Sequence, residues 1–91
     1  MPYKVRYHPL VKEKDLSKIN TTMRLRIKNG IEKRLMTDPV KYGDPLRKTL
    51  KGYRKLRIGD YRIVYRVKNE YIFILGILHR KEIYKKAELR I

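Results

Sequence analysis

Cysteine is absent from this 91-residue sequence, which excludes a disulfide scaffold, a cysteine zinc site and a thiol nucleophile. Two histidines and nine carboxylates are few for an all-protein metal site, so neither a metal nor another cofactor is expected. The longest apolar run, residues 71–78, is far shorter than the roughly 20 residues that a membrane-spanning helix needs. No signal-peptide pattern opens the sequence, so these absences together favour a cytoplasmic protein.

Acidic residues are scarce beside basic ones. The sequence has 9 Asp and Glu against 25 Lys and Arg, which gives a formal net charge of +16. A chain with this much self-repulsion is expected to bind a polyanion or an acidic partner. The apolar content of 42% is too high for a disordered basic tail, and the length fits one domain over residues 1–91.

The pattern of apolar residues predicts an α+β fold. Alternation predicts a strand at residues 3–8, and two helical stretches follow at 10–19 and 23–35, joined as a helical hairpin. A loop rich in proline and glycine occupies residues 38–52, and strand-like runs follow at 53–58, 61–67 and 71–78. The predicted order is β-α-α-β-β-β plus a short C-terminal helix or tail. The helical hairpin then packs on one face of a mostly antiparallel four-stranded sheet.

The dipeptide Gly59-Asp60 predicts a two-residue hairpin turn with glycine first, as a type II′ turn requires. This turn sets Arg57 opposite Arg62, and it fixes the other pairs as Ile58–Tyr61, Leu56–Ile63, Lys55–Val64 and Tyr53–Arg66. Alternation then sorts the hairpin into two faces. The face predicted to pack on the helices carries Leu56, Ile58, Tyr61, Ile63 and Tyr65, with Arg54 near the strand start. The outer face carries Tyr53, Lys55, Arg57, Arg62, Val64 and Arg66.

The register of the last strand stays open in the sequence. A three-residue loop at 68–70 would place Arg62 opposite Gly76 and bring Arg80 onto the cationic outer face. A two-residue loop would bring His79 there instead.

Like charges on opposite strands destabilise a hairpin, so the outer face needs an explanation. From Arg47 to Arg66 the basic residues outnumber the acidic ones eight to one. Splayed arginines on a solvated face are one interpretation, but the clustering favours an anion-binding face. Tyr53 and Tyr84 beside these cations would supply stacking surfaces for a single-stranded nucleic acid.

Two segments carry a family resemblance: LKGYRKLRIGDYRIVY, residues 50–65, and ILHRKEIY, residues 77–84. Together with the element order of the first half, they resemble the RelE/ParE toxin superfamily. The RelE branch implies a toxin of a type II toxin–antitoxin system, a ribosome-dependent endoribonuclease that cuts translated messenger RNA and inhibits translation. It also implies an acidic RelB-like antitoxin as partner, in complexes that include heterotetramers. The alternatives are a non-catalytic ParE-like inhibitor of DNA gyrase and a basic nucleic-acid-binding module.

Resemblance to the RelE branch assigns a catalytic group of five residues: Lys55, Arg57, Arg62, Arg80 and Tyr84. Their joint presence favours RelE-type activity over gyrase inhibition. RNA can be cut without metal when its 2′-OH attacks the adjacent phosphate. Lys55 among cations is a candidate base, while Arg62 and Arg80 would hold phosphate oxygens and Tyr84 would stack on a base.

Further candidates surround the catalytic group. His79 is a candidate acid or base, because histidine has that role in some relatives. The predicted nucleic-acid contacts are Lys51, Tyr53, Arg54, Arg66 and Lys81.

Overall fold

The computed structural model describes residues 3–91 and contains one five-stranded sheet. The strands are β1 (Lys4–Tyr7), β2 (Asp44–Pro45), β3 (Arg54–Ile58), β4 (Tyr61–Lys68) and β5 (Tyr71–His79). Their order across the sheet is β1-β5-β4-β3-β2, with β1 parallel to β5 and every other pair antiparallel. The α+β prediction is confirmed, but the predicted count of four strands is wrong. The additional strand, β2, is a two-residue segment inside the predicted loop.

A helical hairpin covers one face of the sheet, as predicted. Its first arm consists of a π-helical segment, Val11–Asp15, and a 3-10 turn, Leu16–Lys18. Its second arm is α1 (Thr21–Gly30), which continues as a π-helical segment, Ile31–Leu35. The side chain of Asn20 caps α1 by accepting a hydrogen bond of 2.8 Å from the Met23 amide.

The main core lies between this hairpin and the inner face of the sheet. The apolar ridge of the second arm packs on inward-facing strand residues, and the buried members are Ile27, Ile31, Leu35, Leu56, Ile58, Ile63, Tyr65, Ile72, Ile74 and Ile77, with Val11 and Ile19 of the first arm. Tyr65 is fully buried, and its hydroxyl donates a 2.6 Å hydrogen bond to the carbonyl of Pro39, the first residue of α2 (Pro39–Tyr42). Burial raises the pKa of Tyr65 to about 12.

A second, smaller core covers part of the outer face. The C-terminal residues form a helix, α3 (Ile83–Glu88), and a 3-10 turn spans Lys48–Leu50. Both pack on outward-facing strand residues, and the buried set is Leu46, Leu50, Val64, Leu75, Leu78, Ile83 and Ala87, with Tyr53 at its margin. The outer face is therefore divided into a covered part and an open part.

The β3–β4 hairpin has the predicted register. Arg57 faces Arg62, Lys55 faces Val64, Leu56 faces Ile63 and Ile58 faces Tyr61. Gly59 has a φ of +58° while Asp60 keeps a negative φ, which is the pattern of a type II′ turn. Tyr53 lies before the ladder begins, so its predicted pairing with Arg66 is not a strand pair.

A β-bulge decides the register of the last strand. Lys68 pairs with Tyr71, so the loop has two residues, and Leu75 is then left over between the pairs Val64–Gly76 and Tyr65–Ile74. Beyond this bulge, Arg62 faces Leu78 and Tyr61 faces His79. The two-residue loop is therefore right, but His79 lies with Tyr61 and not with Arg62. The three-residue alternative is wrong in its loop length and in placing Arg62 opposite Gly76, which faces Val64.

A buried ion pair joins the two ends of the chain. Arg90 and Asp15 form two bonds of 2.7 Å, and their side chains are 5% and 3% exposed. Asp15 also accepts a 3.0 Å bond from the Ile77 amide, and Arg90 donates a 3.1 Å bond to the carbonyl of the bulge residue Leu75. The pair therefore provides hydrogen-bond partners for the backbone of β5 at Leu75 and Ile77, beyond the last residue of β5 that pairs with β1. It also fixes the end of α3 to the sheet.

Candidate active site

The closest contact in the predicted catalytic group joins β3 to α3. The Nζ atom of Lys55 lies 3.4 Å from the hydroxyl of Tyr84 and 5.7 Å from the centroid of its ring. Alternation along β3 turns Lys55 to the outer face, and packing of Ile83 and Ala87 in the second core holds α3 above it. Tyr84 is 51% exposed, so its ring is open to a ligand.

Two arginines face each other beside this contact. Arg57 on β3 is directly opposite Arg62 on β4. The Nη1 atom of Arg62 donates bonds of 3.0 Å to the carbonyls of Gly59 and Tyr61, which fixes the guanidinium against the hairpin turn. Its Nε and Nη2 groups have no hydrogen-bond partner among residues 3–91, and Arg57 is exposed. These donors can bind an anion.

Arg80 lies at the same end of the hairpin. Its amide donates a 2.8 Å bond to the carbonyl of Asp60, and its Nε atom is 3.6 Å from an Asp60 carboxylate oxygen. The two side chains are 56% and 70% exposed, so solvent screens the pair and Arg80 can exchange Asp60 for another anion.

His79 does not join the group. Its ring meets that of Tyr61 edge-on, with centroids 5.7 Å apart, and Tyr61 belongs to the helix-facing side. Its Nδ1 atom accepts a 3.2 Å bond from the Lys81 amide. The bulge in β5 is the cause, because it returns Leu78 to the face of Arg62 and turns His79 away from it.

The predicted nucleic-acid contacts have different surroundings. The guanidinium of Arg66 lies 5.7 Å from the Tyr53 ring on the outer face, while Lys51 and Lys81 are exposed. Arg54 is the exception, because its Nη1 atom donates to the carbonyls of Gly43 at 2.8 Å and Val40 at 3.2 Å. Arg54 therefore ties α2 to the sheet through Nη1.

Positive charge on this face is almost uncompensated. Among residues 3–91, only Asp60 forms an ion pair with a member of the catalytic group. A second basic feature adjoins it: a cleft of about 510 Å³ beside the hairpin turn, lined by Arg57 and by Arg26, Lys33 and Arg34 of the second helical arm. These helix cations are not among the predicted site residues, although the spacing of Arg26 and Lys33 puts them on one side of the helix. In the described chain, no three His, Cys, Asp or Glu side chains gather in a potential metal site.

Comparison with known proteins accounts for this combination of fold and basic face. The family model described as ParE toxin of type II toxin-antitoxin system, parDE, matches residues 5–84. The chain belongs to the RelE/ParE toxin superfamily. Toxin RelG of Mycobacterium tuberculosis is 33% identical over 88 residues, which cover 94% of this chain and 100% of the relative.

Solved structures of this superfamily share the fold. The RelBE2 toxin–antitoxin complex of Mycobacterium tuberculosis contains a chain that matches with a TM-score of 0.79 at 30% identity, covering 88% of this chain and 100% of that chain. A mutant of E. coli RelE in the free state has a TM-score of 0.75 at 21% identity, covering 100% and 99%. This protein is thus a toxin of a type II toxin–antitoxin system. No helix within residues 3–91 combines the length and apolar character needed to cross a membrane.

Proposed function

We propose that this toxin is an endoribonuclease that cuts messenger RNA on the translating ribosome. The observation that carries the proposal is the contact of the Lys55 amine with Tyr84, beside the opposed Arg57 and Arg62. An amine, an accessible aromatic ring and several guanidinium groups on one open face match the needs of RNA cleavage by its own 2′-OH.

In this scheme Lys55 removes the proton of the 2′-OH. The 2′ oxygen then forms a bond to the adjacent phosphorus while the bond from phosphorus to the 5′ oxygen breaks. The products are a 2′,3′-cyclic phosphate and a 5′-hydroxyl, whose proton comes from water. Free donors of Arg62, with Arg57 and Arg80, neutralise the charge that develops on the phosphate oxygens.

Tyr84 would hold the substrate in line. Its exposed ring can stack on the base next to the scissile phosphate, and its hydroxyl contacts the base catalyst Lys55. The ring and the hydroxyl therefore serve different steps, and they can be separated by substitution.

The charge balance suggests the partners. A net charge of +16 with an open basic face suits the phosphates of messenger and ribosomal RNA. An acidic antitoxin of RelB type would cover the same face, in line with the solved relative that is a toxin–antitoxin complex.

Gyrase inhibition is the second candidate, because the matching family model is that of ParE toxins. That activity needs no Lys55–Tyr84 pair. A supercoiling assay with purified gyrase and this chain separates the two candidates, since an endoribonuclease of this type leaves supercoiling unchanged.

Single-turnover cleavage on ribosomes programmed with a defined messenger RNA tests the proposal. We expect Arg62→Ala to cut about 10²–10³-fold more slowly, the usual loss when one transition-state donor is removed. Tyr84→Ala should also slow cleavage, because the base is no longer held for in-line attack. Tyr84→Phe keeps the ring and should cut faster than Tyr84→Ala if stacking dominates. Lys12→Ala removes an exposed cation from the first helical arm and should cut like the parent.

Thermal unfolding of each variant checks that the fold is intact, which matters for Arg62 because it also bonds the turn. Parental rates for both Arg62→Ala and Tyr84→Ala would rule out this active site. An inactive parent chain that blocks gyrase would favour the second candidate.

A further inference from the structure

The open part of the outer face carries a regular array of aromatic and cationic side chains. Strands β1, β5 and β4 lie side by side, and their register aligns two cross-strand rows. The first row reads Lys4, Tyr71, Lys68 and the second reads Arg6, Phe73, Arg66. In each row an aromatic ring on β5 lies between two cations.

Apart from Lys68, each of these cations lies close to an aromatic ring. The guanidinium of Arg6 lies 5.2 Å from the Tyr71 ring centroid, and that of Arg66 lies 5.6 Å from Phe73 and 5.7 Å from Tyr53. The rings of Tyr71 and Phe73 are 6.0 Å apart with planes inclined at 32°. A shallow cleft of about 160 Å³ opens where Arg6, Tyr53 and Phe73 meet. We call this surface the aromatic platform: Tyr53, Tyr71 and Phe73 with Lys4, Arg6, Arg66 and Lys68.

The platform lies outside both hydrophobic cores. Val5, Val67 and Ile72, which alternate with its members, point inward and pack in the main core. The second core reaches only Tyr53 at its margin. Within residues 3–91 the platform cations meet one carboxylate, Glu70, at 3.9 Å from Lys4, and both side chains are mostly exposed.

We propose that the aromatic platform binds single-stranded RNA, as a subsite separate from the cleavage residues. Cation–aromatic pairs alone would stabilise an open sheet only modestly, but rings and guanidinium planes beside unpaired positive charge match a strand of unstacked bases on a phosphate backbone. An acidic peptide would neutralise the cations and leave the rings unused. A duplex would keep its bases stacked away from them.

The platform adjoins the candidate active site through Arg66 and Tyr53, which continue the outer faces of β4 and β3 toward Lys55. One RNA strand could therefore extend from the platform to the Lys55–Tyr84 contact. This part of the inference rests on the proposed function, whereas binding of single-stranded RNA by the platform does not.

The test measures binding of the full chain to a short, fluorescently labelled 2′-O-methyl oligouridylate, which cannot be cut by 2′-OH attack. We expect Tyr71→Leu and Phe73→Leu each to weaken binding about 5- to 150-fold, the range for loss of one base–aromatic stack. Tyr42→Leu is the matched control, because Tyr42 is an exposed ring on α2 with the Lys41 amine 5.3 Å away, and it should bind like the parent.

A charge series gives a second readout that does not depend on core packing. Arg6→Gln with Arg66→Gln should lower the slope of log affinity against log salt by roughly 1.4, since each phosphate contact to a single strand contributes about 0.7. The control pair Lys12→Gln with Lys14→Gln, exposed on the first helical arm, should leave that slope unchanged.

Equal affinities for Phe73→Leu and Tyr42→Leu, together with equal salt slopes for the two charge pairs, would overturn the proposal. If the platform variants lost binding to polyglutamate as strongly as they lost binding to the oligouridylate, the surface would be assigned to an acidic peptide instead. If the parent chain cuts nothing on programmed ribosomes, the proposed function fails, and the oligouridylate results still decide the platform. Should Phe73→Leu unfold, the exposed pair Arg6 and Arg66 decides it.

Discussion

The two faces of the sheet handle charge in opposite ways. On the inner face, Ile63, Tyr65, Ile72 and Ile74 are fully buried beneath the helical hairpin. Strands β3 and β4 place Lys55, Arg57, Arg62 and Arg66 on the outer face, which α3, the 3-10 turn and Leu46 cover only in part. Alternation with a period of two produces both faces from one stretch of sequence. One face therefore supplies stability, while the other carries the charge that function needs.

Charged groups that enter the interior confirm this division. Asp15 and Arg90 are buried only as a doubly bonded pair that also serves two backbone groups of β5. Arg54, on the helix-facing side, donates from Nη1 to the carbonyls of Val40 and Gly43. On the outer face, the Nε and Nη2 groups of Arg62 have no partner among residues 3–91, and Arg57 and Arg66 are exposed to water, which an anion can replace. Unsatisfied charge thus marks the functional face.

Breaking the buried ion pair should have the largest effect on stability. Arg90→Ala leaves the Asp15 carboxylate buried without its partner, which typically costs about 3–5 kcal/mol. We expect a large fall in the free energy of unfolding measured in urea. Because Arg90 also fastens α3, cleavage should fall through displacement of Tyr84.

The matched control is Lys86→Ala, which breaks the exposed 2.8 Å pair with Glu82 on the same helix and should change stability little. The double variant Asp15→Leu with Arg90→Met should recover much of the loss, since no charge remains buried. Arg90→Ala as stable as Lys86→Ala would show that the pair does not hold the C-terminal helix.

The inner face should also respond to alkaline pH through Tyr65. Burial raises its pKa from the ordinary value of 10.0 to about 12, so the folded state favours the neutral phenol. The resulting stability is present below pH 10 and is lost as the pH rises toward 12, by up to about 2.7 kcal/mol. Tyr65→Phe should lose about 1 kcal/mol at neutral pH, because it removes the bond to Pro39, and it should lack this alkaline loss.

Urea unfolding of parent and variant at several pH values above 9 measures the difference. Tyr42→Phe, an exposed tyrosine on α2, should keep the parental alkaline profile. Parallel profiles for the parent and Tyr65→Phe would show that Tyr65 is not the group responsible.

Local signals in the sequence predicted a large part of this fold. The Gly59-Asp60 turn fixed the hairpin register, because a two-residue loop leaves one pairing, and the helical hairpin followed from its apolar period. β2 was missed because it is two residues long and includes Pro45. The ion pair was missed because Asp15 and Arg90 are 75 positions apart and no local pattern links them.

The candidate site was harder to predict than the fold. The Lys55–Tyr84 contact depends on how α3 docks, and the sequence supplied it only through the family resemblance. The bulge at Leu75 decides whether His79 or Arg80 lies on the face of Arg62. The carbonyl of Leu75 accepts a hydrogen bond from Arg90, which lies outside the strand. Tertiary contacts therefore set the register that loop length alone could not. The roles of the site residues stay predictions.

The smallest expected change in stability comes from an outer-face substitution, and it tests directly whether the charge on that face destabilises the fold. Arg57→Gln removes one of two cations that face each other across β3 and β4, so it should stabilise the protein by a few tenths to about 1 kcal/mol. The gain should shrink at high salt, which already screens the repulsion between exposed charges. Cleavage on programmed ribosomes should fall in the same variant. Lys12→Gln, which removes an equal charge from the first helical arm, should change neither quantity appreciably. An Arg57→Gln variant less stable than the parent in low salt would show that repulsion between Arg57 and Arg62 does not destabilise the folded protein.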